Sequence, residues 1–429
     1  QTSRLIENGL VALQSGRLQE AEAIFQSILR EQPRHPDALH LLGILNHRAG
    51  DHERAVELIE EAIEAKPSVP AFYNNCGEAH RALHNYDAAV ARYEGALAIN
   101  PQYAEAHYNL GNLLVELGRH QDAVAHFEQA LASKPDHAKA HNNLGNALRK
   151  MGRHEQAVVH YGNALAARPD YAEAHYNLGN GLQELGRHRE AIPHYEQALA
   201  LNPSFAAAHN NLGNALQKMG RHENALTHHE QAVALKPDLA EAHSNLGNAL
   251  QELGRQEEAI PHYERALELE PEFAQAYGNL GITLQDLGRK DEAIACYEQA
   301  VAVKPDYSDV HRSLASIRPR EDQIPIVEKL LASPAVSEED LTHYHYCLGA
   351  LYGHAKSYAK EFEHCLAANT LKRKSFSYDP SRHSGFVDRL IKTHTRSFFE
   401  GQTASGSDSE LPVFIVGMPR SGTTLVEQI

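Results

Sequence analysis

Tryptophan is absent from the 429 residues, methionine occurs three times and cysteine four times. None of the four cysteines (Cys76, Cys296, Cys347, Cys365) stands in a C-x-x-C pattern. That excludes a disulfide framework and the usual thiol redox pair, and it points to a reducing compartment, with the cytoplasm as the expected location. Long apolar runs are missing too. No stretch approaches the roughly 20 residues a membrane-spanning helix needs, so no membrane partner is expected. Positive charge is in short supply: 40 Lys and Arg against 56 Asp and Glu give a formal net charge of −16. A nucleic-acid partner needs a basic surface or stripe, and here the cations are scattered among acids on the same segments. The chain starts at Gln1 rather than Met and stops at Ile429 inside an apolar pattern that has just begun, which reads as a fragment at both ends.

What the sequence does have is a period. Proline stands at 33 and at every 34th residue to 305; glycine keeps the same step from 9 to 281, and alanine from 21 to 293. Counting repeats from Thr2, Pro36, Pro70, Ala104 and onward, residues 2–307 hold nine of them, each expected to fold as two helices over positions 1–14 and 17–31. Gly at position 8 and Ala at position 20 (Gly111 and Ala123 in repeat 4) let the helices approach. Apolar positions 7, 11 and 14 (Leu110, Leu114, Leu117) fill the seam, Gly118 ends the first helix in the left-handed conformation, and the closing Pro stops the second. Pro193 and Pro261 fall in early turns of second helices, where only a mild kink is expected. The L-G, A-x-x-x-[F/Y], P pattern at 34 residues resembles the tetratricopeptide repeat. The resemblance implies an all-α, right-handed superhelical solenoid in which stacked neighbours supply the stability one hairpin lacks.

A helical wheel puts positions 4, 7, 8, 11 and 14 of the first helix on a packing face and positions 2, 6, 9 and 13 opposite. Position 6 is Asn in seven successive repeats (Asn75, Asn109, Asn143, Asn177, Asn211, Asn245, Asn279) and position 9 in five (Asn112, Asn146, Asn180, Asn214, Asn248). Asn is a mediocre helix former, and its carboxamide matches the donor and acceptor of a peptide group. Two exposed Asn columns therefore predict a groove that holds an extended polypeptide by its backbone, resembling the asparagine ladder of O-linked N-acetylglucosamine transferase. Alanine at Asn143, Asn177 and Asn211 should then weaken partner binding and leave the thermal midpoint nearly unchanged. The same columns also fit a repeat consensus copied by duplication and simply solvated. Position 13 alternates in charge (Glu116, Lys150, Glu184, Lys218, Glu252), adding selectivity or neutralising the face.

Most of the 29 histidines are periodic, at position 4 (His107, His141, His175, His209, His243) and position 17 (His120, His154, His188, His222). Neighbours one repeat apart are separated by about 10 Å, too far to share an ion, so packing is the expected role and no metal is expected.

Beyond Pro305 the period fails. Residues 308–400 read as a helical connector: a Pro-rich stretch at 318–340 with one short helix, then a degraded hairpin over 341–370 in which Leu348, Gly349 and Tyr352 match positions 7, 8 and 11 and the turn is shortened. That hairpin suits a capping repeat. A basic patch (Lys372, Arg373, Lys374), a helix near 384–399 and a Gly/Ser-rich linker at 401–410 follow.

Residues 411–417 (LPVFIVG) read as a buried strand, followed by Met418, Pro419, Arg420, Ser421, Gly422, Thr423 and Thr424 and a helix start. Strand, Gly-bounded loop and helix form a phosphate cradle. Thr423 stands where a nucleoside triphosphatase or kinase loop needs Lys. The string resembles the 5′-phosphosulfate loop of sulfotransferases, including bacterial repeat-containing and tyrosylprotein members. The resemblance implies the first strand-loop-helix of an α/β P-loop-like domain over 411–429. It also implies 3′-phosphoadenosine 5′-phosphosulfate as sulfuryl donor, held by Pro419, Arg420, Ser421, Gly422, Thr423 and Thr424, with Arg420 as the catalytic cation. The resemblance implies a hydroxyl acceptor, such as a protein tyrosine docked on the repeats. A general base and a 3′-phosphate site are expected beyond 429, so these residues alone should not turn over. The alternative is a non-catalytic adaptor.

Overall fold

The computed structural model describes residues 2–334 and 336–374. The strand and loop expected at 411–424, with Pro419, Arg420, Ser421, Gly422, Thr423 and Thr424, lie outside them, as do the helix near 384–399 and the linker. Among the described residues every regular element is helical. Two compact bodies are distinguished, one running to Val310 and the other starting at His311.

The first body is a stack of helical hairpins in register with the sequence period. First helices span Thr2–Gln14, Pro36–Ala49, Pro70–Ala82, Ala104–Glu116, Ala138–Lys150, Ala172–Glu184, Ala206–Lys218, Ala240–Glu252 and Ala274–Asp286. Second helices span Leu18–Glu31, His52–Ala65, Tyr86–Ile99, His120–Ser133, His154–Ala167, His188–Leu201, His222–Leu235, Gln256–Leu269 and Lys290–Val303. Each ends where local chemistry says it should. In repeat 4, Gly118 has φ +73, its N–H donates to the Val115 carbonyl and that of Arg119 to Leu114, the paired bonds of a Schellman cap. Pro193 and Pro261 sit inside helices that run on unbroken.

Packing refines one expectation and corrects two. The close approach at position 8 is to the residue at position 24: a Cβ on Gly111 would lie 2.7 Å from the Phe127 ring, and in repeat 2 a Cβ on Gly43 would meet Ile59 and, at 3.2 Å, the Ala55 carbonyl of position 20. Position 14 does not fill the seam, since Leu117 is 40% exposed while Leu110 and Leu114 are 2% exposed. The two-faced wheel is also too simple. Positions 3 and 10 (Ala106, Leu113, Ala140, Ala147) are completely buried, because each first helix touches its own second helix, the preceding second helix and the first helix of the next repeat.

The second body carries a short 3-10 turn (Glu321–Gln323), a helix (Ile324–Leu331) and a hairpin of Glu338–His354 and Tyr358–Lys374. Its turn is no shorter than those of the array: three residues separate the helices, Lys356 takes φ +59 and Ser357 N–H donates to the Tyr352 carbonyl. The departure lies in the helices, at 17 residues each. Leu348 is fully buried, and a Cβ on Gly349 would meet Cys365 Sγ at 2.8 Å.

Candidate functional site

The asparagines expected to stand free are woven into the scaffold. Asn177 and Asn180 are buried, and Asn75, Asn109, Asn112, Asn143, Asn146, Asn211, Asn214, Asn245, Asn248 and Asn279 are half-buried. Every position-6 carboxamide donates to the preceding repeat. Asn75 reaches His40 Nε2 (2.9 Å), Asn109 reaches Asn74 (3.1 Å), Asn177 reaches Asn142 (2.9 Å) and Asn245 reaches Asn210 (3.1 Å). Asn143 reaches Asn112 (2.8 Å), Asn211 reaches Asn180 (2.8 Å) and Asn279 reaches Asn248 (2.7 Å). The placement of these side chains as free of the scaffold is thereby corrected, and alanine at Asn143, Asn177 and Asn211 is expected to lower the thermal midpoint. A buried carboxamide left without its donor is costly.

These partners alternate. From repeat 3 to 4, 5 to 6 and 7 to 8, position 6 bonds position 5 of the repeat before, and position 12 meets the Glu of position 13. The last contact is Arg81 to Glu116, Arg149 Nη1 to Glu184 at 2.7 Å, and Gln217 Nε2 to Glu252 at 2.9 Å. From 4 to 5, 6 to 7 and 8 to 9, position 6 bonds position 9, and in the first two it also donates to the position-5 hydroxyl (Asn143 to Tyr108 at 3.3 Å, Asn211 to Tyr176 at 3.2 Å). The charge alternation of position 13 thus marks alternating junctions, with Glu in the repeat that follows a polar partner.

The position-24 hydroxyls hold position 9 from behind: Tyr161 donates to Asn146 Oδ1 (2.8 Å), Tyr195 to Asn180 (2.8 Å) and Tyr263 to Asn248 (2.7 Å). Burial pushes the Tyr161 phenol up to about 12, so it remains a donor. Repeat 7 breaks the pattern. Its position 24 is His229, fully buried, whose Nε2 turns to Gln217 Oε1 at 3.2 Å. Asn214 consequently has no side-chain partner among the described residues.

Around Asn214 the inner face opens. A cavity of about 750 Å³ is lined by Asn214, Asn245, Asn248, Asn279, Gln217, Gln251 and Phe273, with Glu241, Glu252, Glu270 and Lys218 at its walls. A second, of about 360 Å³, shares Asn214 and Glu241 and adds Asn180, Asn211 and Arg149. Of the expected groove residues, Asn180, Asn211, Asn214, Asn245, Asn248 and Asn279 line these openings. Since position 6 uses an N–H on the scaffold and position 9 its oxygen, the cavity keeps Oδ1 of Asn245 and Asn279 as acceptors and Nδ2 of Asn248 as a donor. Asn214 offers both.

The histidines do pack, but in pairs the period conceals. Positions 4 and 23 of one repeat bring two Nδ1 atoms together: His107 and His126 at 3.0 Å, His141 and His160 at 3.2 Å, His175 and His194 at 3.3 Å, His209 and His228 at 3.0 Å, His243 and His262 at 3.5 Å. The position-4 Nε2 of each lies 3.0–3.3 Å from a proline carbonyl (Pro101, Pro135, Pro169, Pro203, Pro237). A carbonyl only accepts, so Nε2 carries the proton and Nδ1 accepts from its partner. Burial first, then the neighbouring imidazole, lowers His126, His160, His194, His228 and His262 below the usual range. Each pair joins residues 19 apart on different helices, which no helical periodicity links, and His at both positions in five repeats is its signal in the sequence.

No helix among the described residues is long and apolar enough to cross a membrane. Tetratricopeptide repeat family models match residues 6–70 and 77–138, and 136–204, 204–272 and 238–306. An uncharacterized protein of Aquifex aeolicus (strain VF5) is 38% identical over 109 residues, 25% of this chain and 14% of that protein's length. Among solved structures, MamA is 26% identical, covering 38% of this chain and 95% of its own, with a TM-score of 0.35. YrrB, described as "a TPR protein with an unusual peptide-binding site", is 26% identical over 42% of this chain and 93% of its own, with a TM-score of 0.37. The family models match most of the chain in helical register with the hairpins described above, and the chain belongs to the tetratricopeptide repeat family.

Proposed function

We propose that the array is a non-catalytic scaffold that holds an extended polypeptide segment against the inner face of repeats 6 to 9. The observation that carries this reading is Asn214, a half-buried carboxamide with no side-chain partner among the described residues, between two cavities where the asparagines of positions 6 and 9 keep one donor or one acceptor each. Alternating donors and acceptors suit a peptide backbone with little demand on its sequence. Glu241, Glu252 and Glu270 outnumber Lys218 at the larger cavity, so segments with Lys or Arg are favoured. Selection of random peptides by the full chain tests it. Enriched peptides should be basic, and Asn214→Ala should weaken them roughly fivefold, about one hydrogen bond's worth, with an unchanged thermal midpoint. No enrichment, or full affinity in Asn214→Ala, overturns the reading.

A second reading rests on the sequence Leu411–Thr424 alone. Its resemblance to a 5′-phosphosulfate loop makes the repeats the docking arm of a sulfotransferase, with Arg420 beside the donor. Calorimetric titration of 3′-phosphoadenosine 5′-phosphosulfate tests it. Binding that Arg420→Ala removes supports the enzyme; no binding to a chain continued past residue 429 leaves the scaffold reading alone.

A further inference from the structure

The repeats provide their own internal comparison. Positions 7 and 11 of the first helix are Leu in all of repeats 4 to 9 (Leu110 and Leu114, through Leu280 and Leu284). They form the apolar seam against the preceding hairpin. Repeat 3 has Cys76 and His80 there, one turn apart on the same helix face. Opposite them, from the second helix of repeat 2, comes Glu60. Position 23, a histidine in repeats 4 to 8, is Arg92 in repeat 3. Three departures from the pattern thus converge on one carboxylate.

Cys76 Sγ donates to Glu60 Oε1 at 3.2 Å, and His80 Nε2 lies 3.7 Å from the same oxygen. One donor atom from each of Glu60, Cys76 and His80 falls within 4.8 Å of the others. Cys76 is fully buried, and the His80 side chain is 14% exposed. The imidazole is uncommitted: its Nε2 is too far from Glu60 for a hydrogen bond, and its buried Nδ1 has no partner.

We propose that Glu60, Cys76 and His80 form a binding site for a thiophilic divalent cation of the zinc type. Tetrahedral zinc with bonds near 2.3 Å to sulfur and 2.0–2.2 Å to nitrogen and oxygen sets S···O and N···O edges of about 3.6 and about 3.4 Å. The two edges present, 3.2 and 3.7 Å, need shifts of only a few tenths of an ångström. Cys76 Sγ donates to Glu60 Oε1, so the free site holds S–H. As the metal–sulfur bond forms, that proton leaves to solvent, and the ion then faces one thiolate, one carboxylate and one neutral imidazole, with a fourth position for water. Arg92 Nη2 lies 2.6 Å from the same Oε1 and also reaches Cys76, so the guanidinium must swing off that oxygen as the ion enters.

Cobalt(II) titration of the metal-stripped full chain tests this. A thiolate-to-cobalt charge-transfer band should saturate at one ion per chain, with release of one proton, and zinc should displace it. The double variant Cys76→Leu, His80→Leu restores the seam of the neighbouring repeats, so it should fold at least as well and lose the band. Replacing Cys296, Cys347 and Cys365 by Ala should leave the band intact. Absence of a band in the wild-type chain, or its survival in the Leu/Leu variant, overturns the assignment.

Discussion

Repeat 3 and repeats 4 to 8 have the same length and the same backbone but place their polar side chains differently. In the regular repeats the seam is Leu on Leu, the imidazoles of positions 4 and 23 pair, and a glycine turns the chain. In repeat 3 the seam holds Cys76 and His80, position 4 is Tyr73 lying against Gly95, position 23 is Arg92, and His84 takes the left-handed turn at φ +58. Where one contact is made many times, its repetition identifies what packing requires, and the departure identifies where something else is being served. Repeat 7 teaches the same lesson: one substitution, His229 for the usual aromatic, releases Asn214 into the cavity.

The hardest way to break the regular pattern is at position 8. A Cβ on Gly145 would sit 2.5 Å from Tyr161, so Gly145→Val should cost about 3 kcal/mol by overpacking and lower the melting temperature sharply. Next comes the asparagine ladder. Asn177→Ala leaves the oxygen of Asn142, itself fully buried, without its donor, and should cost about 2 kcal/mol in denaturant titration, against no measurable cost for Asn214→Ala. Equal costs would erase the distinction between scaffold and groove asparagines.

Acid sharpens the comparison further. Burial lowers His229 to about 4, so the folded state keeps it neutral while the unfolded chain takes a proton below about 6.5. Its contribution is complete above pH 6.5, lost progressively as pH falls to about 4, and constant below. At pH 5 the loss is on the order of 2 kcal/mol. His229→Tyr should flatten the stability profile between pH 7 and pH 5, and an unchanged slope would assign the acid sensitivity to the paired imidazoles instead. The smallest effect is expected in repeat 3, where His84→Gly relieves the positive φ and should stabilise by about 0.5 kcal/mol, read as a slight rise in melting temperature.

The helices were legible because their determinants are local. The Pro, Gly and Ala columns placed hairpin boundaries to within a residue or two, and the Gly-Arg pair announced the cap at Gly118. The asparagine columns are legible in the sequence as columns, but their burial and their bonds to the preceding repeat are not. A wheel drawn for one helix cannot see three neighbours, and burial at positions 3 and 10 comes from those neighbours.

The amino-acid order by itself determined the 34-residue hairpin and its stacking, since helix periodicity, capping and small-residue contacts act within one repeat or between successive ones. Only the tertiary structure decided which carboxamide bonds which. Asn143 reaches back to Asn112 and Asn177 to Asn142 because adjacent first helices lie side by side at offsets no periodicity encodes. The same holds for His107 beside His126 and for Cys76 and His80 facing Glu60. These are meetings of residues on different helices, and their distances are set by how hairpins pack.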